Sequence, residues 1–157
     1  MGLATSFGHA FAKAQSGAGC PLPISGTAFI SVNDFDKTTV VPIARDLQNL
    51  GFRLIATRGT AAHLLARDIA VEMVYKVNEG RPNIVDHIKN GQVALIVNTP
   101  LGRGSYSDDP VIRKSATQHG VPILTTLSAA AAAVSGIKAL KDEVLTVKSL
   151  QEYHTPR

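Results

Sequence analysis

The sequence predicts an α/β fold in three layers, with a five-stranded, mostly parallel sheet held between helices. Three observations carry this reading. Short apolar runs rich in β-branched residues alternate with stretches of helical spacing along most of the chain. The run "VALIVNT" (93–99) is continuous and apolar, as a strand buried on both faces should be. The composition is aliphatic: 45% of the 157 residues are hydrophobic but only 5% are aromatic, and there is no Trp. That mix suits a sheet covered by helices better than an aromatic-rich sandwich, and the length accommodates one domain with a full core.

Residues 1–25 stand apart. "AKAQSGAGCPLPISG" is dense in Gly, Ser and Pro and reads as a linker. Residues 6–15 form a short helix in this reading, with Phe7 and Phe11 four apart on one face. Two Phe on an isolated helical segment need a packing partner, which we expect in a neighbouring domain outside this chain.

From residue 27 the alternation begins. "TAFISV" (27–32) is the first strand. In "VVPIARDLQNLG", Val40, Ile43, Ala44, Leu47 and Leu50 keep helical spacing, Pro42 falls in the first turn, and Gly51 is the stop. "RLIAT" (53–57) is the second strand, 60–67 the second helix of this series and "VEMVYKV" (71–77) the third strand. "NIVDHIKNG" (83–91) is a short helix ending at Gly91, followed by the strand 93–99. "DDPVIRKSATQHG" (108–120) is a helix with Asp at its start, Pro110 in its first turn and Gly120 after its end. "PILTTL" (122–127) is the fifth strand, and "SAAAAAVSGIKAL" (128–140) a helix whose alanines let it lie close on the sheet. "EVLTVKSL" (143–150) reads as an edge strand or a tail.

Composition excludes several functions. The net charge of +4 is dispersed, with no basic run and no interleaved aromatics, so a nucleic-acid surface is not expected; a small anion fits equally well. Cys20 is the only cysteine, so neither a disulfide framework nor a thiolate metal site is expected, and a reducing, cytoplasmic setting is simplest. No run is long enough to span a bilayer. "SGAGC" resembles a lipoprotein cleavage site, but "GHAFAKAQ" before it holds His, Lys and Gln where a signal peptide needs an apolar stretch.

In a parallel α/β sheet, ligands bind beyond the carboxyl ends of the strands. This places residues 34–37, 57–60, 76–81, 98–103 and 125–128 on one rim. Thr57 and Thr60 bring hydroxyls, Gly59 permits close backbone approach, and the helix start after it offers unpaired N–H groups. Lys37, Arg58, Lys76, Arg81 and Arg103 bring charge, and Asn98 an amide that both donates and accepts. Singly, each has an ordinary reading as a helix start, a solvated charge or a turn residue; together they indicate a phosphate-type anion site. Proton-transfer groups are thinner. His9, His63, His87, His119 and His154 fall mostly on helices or tails, with no metal-ligand spacing. Ser105 lacks the strand–elbow–helix context of a nucleophile. Asp34, Asp36, Glu79 and Asp86 read as acids or bases, or as surface charges and caps.

"GTAFISVNDFDK", "GFRLIATRGTA", "VYKVNEGRPNIVDHIKNGQVALIVNTP", "DDPVIRKSATQHGVPILTTLSAA" and "VKSLQEYH" together resemble the C-terminal allosteric domain of the carbamoyl-phosphate synthetase large subunit, over essentially the whole chain. "FGHAFAKAQ" resembles the segment joining that domain to the preceding synthetase half, so residues 1–25 are expected to be a linker and 26–157 the domain. The resemblance implies the methylglyoxal-synthase-like fold and a regulatory role: binding of nucleotide effectors, UMP as inhibitor and IMP at an overlapping site. Carried over by position, the nucleotide site is Lys37, Thr57, Gly59, Thr60, Lys76 and Asn98, with Thr125 the ornithine-side contact. No catalytic residue, metal or cofactor is implied for the domain itself. The parent enzyme would use ATP with Mg2+ or Mn2+, its own synthetase domains and a small glutaminase subunit.

The sequence departs from that pattern at Pro100, where the family's best-known bacterial form has a second Thr, and Arg58 carries less weight because that position varies. Methylglyoxal synthase, a phosphate-eliminating lyase, is similar in fold but needs an Asp just after the fourth strand and a His–Asp pair after the first. Here those places hold Asn98-Thr99 and Asn33-Asp34. A purely structural or oligomerising module is the third alternative.

Overall fold

A computed structural model describes residues 1–100 and 108–154. Five strands form one sheet in the order β3-β2-β1-β4-β5: β1 (Thr27–Val32), β2 (Arg53–Thr57), β3 (Glu72–Val74), β4 (Leu95–Thr99) and β5 (Ile123–Leu124). All four pairings are parallel. The helices are α1 (Phe7–Gly17), α2 (Val40–Asn49), α3 (Arg58–Leu65), α4 (Ile84–Lys89), α5 (Asp109–Gln118), α6 (Leu127–Asp142) and α7 (Leu150–His154), with a 3-10 turn at Asp34–Asp36. None among the described residues is long and apolar enough to cross a membrane.

Two-residue alternation splits the core. Ala28, Ile30, Leu54, Ala56, Leu95 and Val97 face one side, packed with α2, α3 and α6. Phe29, Ile55 and Ile96 face the other, packed with Ile84, Val85 and Ile88 of α4 and Ile112 and Ala116 of α5. The sheet is therefore covered on both faces, which is why its strands read as continuous apolar runs. From β1 the chain winds outward through β2 and β3, then returns past β1 to form β4 and β5. The winding reverses between β1 and β4, and at such a point the connections leave in opposite directions and open a crevice.

Several predicted boundaries shift. β3 is three residues rather than seven, because the chain leaves the sheet edge at Tyr75 and keeps only one bridge, Tyr75 to Asn83. There Asn83 caps α4: its Oδ1 accepts from the Val85 N–H (3.0 Å), while Asp86 accepts from the Asn83 N–H (3.0 Å). β5 is two residues because Thr126 becomes the cap of α6, accepting from the Ala129 N–H. Residues 144–149 form no strand and run as a tail into α7. The predicted stops hold: Gly51 (φ 86°) and Gly120 (φ 66°) take the left-handed conformation that ends a helix.

The amino-terminal expectation needs correction. Phe11 finds its packing partner within this chain, because α1 lies along α6, and Ala12 and Leu22 join the larger core cluster. The cause is a pair of glycines. A Cβ on Gly8 would sit 2.5 Å from the Ser135 carbonyl oxygen, and one on Gly136 would sit 2.7 Å from Leu22 Cδ1. Without those side chains the two helix backbones meet directly. Phe7 stays largely exposed, its ring centroid 6.0 Å from that of Phe11.

Candidate functional site

The carboxyl ends of β1, β2 and β4 surround a cleft of about 540 Å³, the size of a small-molecule site. Lys37, Thr57, Gly59, Thr60, Lys76 and Asn98 all line it. Thr125 does not; it follows edge strand β5, partly buried. Arg58 lines the cleft as well, whereas Arg81 points to Asp86, 3.7 Å away. Arg103 and Ser105 lie outside the described residues.

One end of the cleft is built on α3. The helix begins at Arg58, earlier than the spacing predicts, so Gly59 and Thr60 lie within its first turn and Thr57 is its N-cap. Thr57 makes no side-chain capping bond. Its buried hydroxyl instead lies 3.3 Å from Ser31 Oγ and 3.4 Å from Thr60 Oγ1. Thr60 Oγ1 accepts from the Val32 N–H (3.3 Å), which pins the helix start to the end of β1. The uncapped first turn of α3 thus lines the cleft, where the helix dipole favours an anion. Lys37 stands over them: a Cβ on Gly59 would lie 3.3 Å from its Nζ. The same ammonium contacts Asp34 Oδ1 at 2.6 Å. That hydrogen bond and the Lys37 charge, with a smaller contribution from Lys76, hold the Asp34 carboxyl below the ordinary carboxylate range against a small desolvation effect.

The other end lies on β4, two strand spacings from β2, or roughly 10 Å. Asn98 Nδ2 donates to Asp109 Oδ1 (2.6 Å), and Arg113 Nε donates to Asp109 Oδ2 (2.7 Å). A carboxylate only accepts, so the amide orientation is forced, and Asn98 Oδ1 has no donor among the described residues. Asn78 Nδ2 donates to Asp108 Oδ1 (2.9 Å), tying the Lys76–Glu79 turn to the start of α5.

Sequence reasoning undercounted the acids. Asp34, Glu79, Asp108 and Asp109 all line the cleft beside three cations, so it carries both signs rather than one throughout, with Asp34 paired to Lys37 and Asp108 and Asp109 at the start of α5. Asp108 and Asp109 read in the sequence only as a favourable helix start. The signal that finds them is the one already applied to Gly59: a helix that follows a strand begins on the rim where that strand ends. Asn33 was likewise missed. Its Oδ1 accepts from the Phe35 and Asp36 N–H groups, and its Nδ2 donates to Asp36 Oδ2 (2.7 Å) and to the Thr99 carbonyl (3.1 Å). The 3-10 turn after β1 is thereby fastened to β4. No group of three or more His, Cys, Asp or Glu suited to a metal occurs among the described residues.

His63, one turn along α3, has its Nε2 buried with no hydrogen-bond partner among the described residues. Desolvation first, then the Arg67 and Lys37 charges, lower its pKa below 6.5. The folded state therefore prefers the neutral ring, so its contribution is complete above pH 6.5 and is lost as pH falls toward the depressed folded value. Melting temperature followed from about pH 8 down to about pH 5 should decline less steeply in His63→Gln than in the wild type.

The MGS-like domain family matches residues 39–125, more than half of the chain and the part that carries five of the six cleft residues named from the sequence. Over 154 residues the chain is 51% identical to the carbamoyl phosphate synthase large chain of Acidobacterium capsulatum, covering 98% of this chain and 14% of that protein. It is also 51% identical to the carbamoyl phosphate synthase large chain, C-terminal section, of Methanopyrus kandleri, covering all of this chain and 30% of that one. The corresponding protein of Nostoc sp. is 44% identical over 153 residues, again 14% of its length. The chain thus spans less than a third of each of these relatives. On the extent of the family match and the five-stranded parallel sheet, the chain belongs to the MGS-like domain family.

Proposed function

We propose that this chain is the effector-binding domain of a carbamoyl phosphate synthase large chain, and that its cleft holds a nucleoside monophosphate such as UMP or IMP. The observation that carries the reading is the α3 start, where Lys37 Nζ stands beside Gly59 above helix N–H groups that Thr57 does not cap. The phosphate sits there, neutralised by Lys37 and Lys76 and bonded by Thr57 and Thr60. Asn98, two strands away, offers its Oδ1 to a donor on the ribose or base. Thr125, outside the cleft, belongs to the boundary with the preceding domain, where ornithine is met. Residues 1–25 connect to that domain. The parent enzyme's chemistry, with ATP, Mg2+ or Mn2+ and a glutaminase subunit, takes place elsewhere. The bound nucleotide shifts this domain's contacts with the synthetase halves by a coupling energy of about 1–3 kcal/mol, acting equally in both directions.

Calorimetry of the chain with UMP and IMP tests this. Binding should be seen, and Lys37→Ala or Lys76→Ala should weaken it about tenfold or more, the scale of a lost charge-assisted hydrogen bond. Thr125→Ala should leave it unchanged. Failure of the wild type to bind any nucleoside monophosphate would sink the reading. Release of methylglyoxal from dihydroxyacetone phosphate, in proportion to protein, would replace it with the lyase.

A further inference from the structure

We propose that Phe35 is the platform on which the ligand's base stacks; this rests on the nucleotide reading of the cleft and specifies how it recognises an aromatic ring. Phe35 lies at the centre of the 3-10 turn and lines the cleft, yet it is 84% exposed. Isolated exposed apolar residues are ordinary on protein surfaces, so position must carry the argument.

Three observations do so. First, the turn is rigidly held: Asn33 caps it from within, accepting from the Phe35 N–H at 2.9 Å, and anchors it to Thr99 through both its backbone N–H and its Nδ2. A mobile surface loop needs no such fastening, whereas a stacking platform does, because rigid aromatics lose little entropy on binding. Second, the turn runs between the two ends of the cleft: Asn33 ties its start to Thr99 on β4, next to Asn98, and Lys37 at its far end stands over the α3 start. Phe35 lies midway along that turn, two residues from Lys37, so a nucleotide with its phosphate on the α3 start brings its base within reach of the ring. Third, the other strongly exposed Phe behaves differently. Phe7 has the Phe11 ring beside it, while Phe35 has no ring partner among the described residues. Stacking on a ring is tolerant of base identity because every base has a π face. Phe35 therefore confers preference for nucleotides over sugar phosphates, and leaves the choice between purine and pyrimidine to polar groups such as Asn98.

The test is calorimetric titration of the full chain with UMP, IMP and ribose 5-phosphate, in the wild type, Phe35→Ala and Phe35→Tyr. Phe35→Ala should weaken both nucleotides by about 5- to 150-fold, the range for losing one base–aromatic stack. It should leave ribose 5-phosphate affinity unchanged, and Phe35→Tyr should restore nucleotide binding. Equal nucleotide affinity in wild type and Phe35→Ala would overturn the proposal. So would a parallel loss of ribose 5-phosphate, which would mean that the turn itself had collapsed. A wild type that binds ribose 5-phosphate as tightly as nucleotide would overturn the stacking role and leave the phosphate seat standing. A wild type that binds none of the three would overturn both.

Discussion

Phe29→Ala is expected to cost about 3–5 kcal/mol of folding stability, the cost of emptying a buried aromatic site. Phe29 lies on the central strand, is fully buried, and stands in register with Ile55 on one side and Ile96 on the other. Among the described residues it is the only aromatic in the smaller core cluster, under α4 and α5. None of the aliphatic neighbours replaces its volume, so the cavity stays open. At about 2–4 °C per kcal/mol for a domain of this size, the melting temperature should fall by roughly 6–20 °C. Phe29→Leu, which keeps most of the volume, should lose much less. A drop of only a degree or two for the alanine variant would show that α4 and α5 collapse onto the sheet more freely than their packing implies.

Gly8→Val carries the second large effect, through crowding rather than loss. The first atom of the new side chain meets a backbone oxygen of α6, so no rotamer relieves the clash and α1 must move. Overpacking of this kind typically costs about 1–3 kcal/mol and occasionally more. Separation of α1 also uncovers Phe11, Ala12 and Leu22. Hydrogen exchange should show α1 amides losing protection while those of β1 and β4 keep theirs. The cleft does not touch α1, so the nucleotide binding proposed for it should persist below the lowered melting temperature. Loss of protection throughout the sheet would mean that α1 is part of one cooperative unit with it.

The two variants bracket what the sequence could reveal. The inner strands were legible because burial on both faces leaves an unbroken apolar run: "TAFISV" and "RLIAT" match β1 and β2 residue for residue. The edge strands were read too long. β-branched residues persist in "VYKV" and "LTTL", but Asn83 and Thr126 end the pairing by capping helices, and a cap competes with a strand only once the helix is in place. The six cleft residues were legible because the winding rule assigns all strand ends to one rim. Asp108 and Asp109 were not, since helix-start chemistry already accounted for them. Asn33 was missed because its partner, Thr99, lies 66 residues along the chain. The docking of α1 depends on two glycines whose spacing carries no periodic signal, and only the close approach of two helices gives them meaning.

On the proposed phosphate reading, the pairing of Lys37 with Asp34 has a consequence for which anions the cleft would accept. Lys37 is already neutralised by a tethered counter-ion, so binding there is an exchange rather than an addition. A small monoanion such as chloride trades one negative charge for another and gains little. A phosphate monoester near neutral pH carries close to two charges and three acceptor oxygens, and it can recruit Lys76 and the α3 N–H groups along with Lys37. The released Asp34 carboxylate returns to water, where its side chain is already 88% exposed, so its solvation costs little. On that reading the arrangement would act as a threshold on charge, favouring a dianion over the monovalent anions of the surroundings.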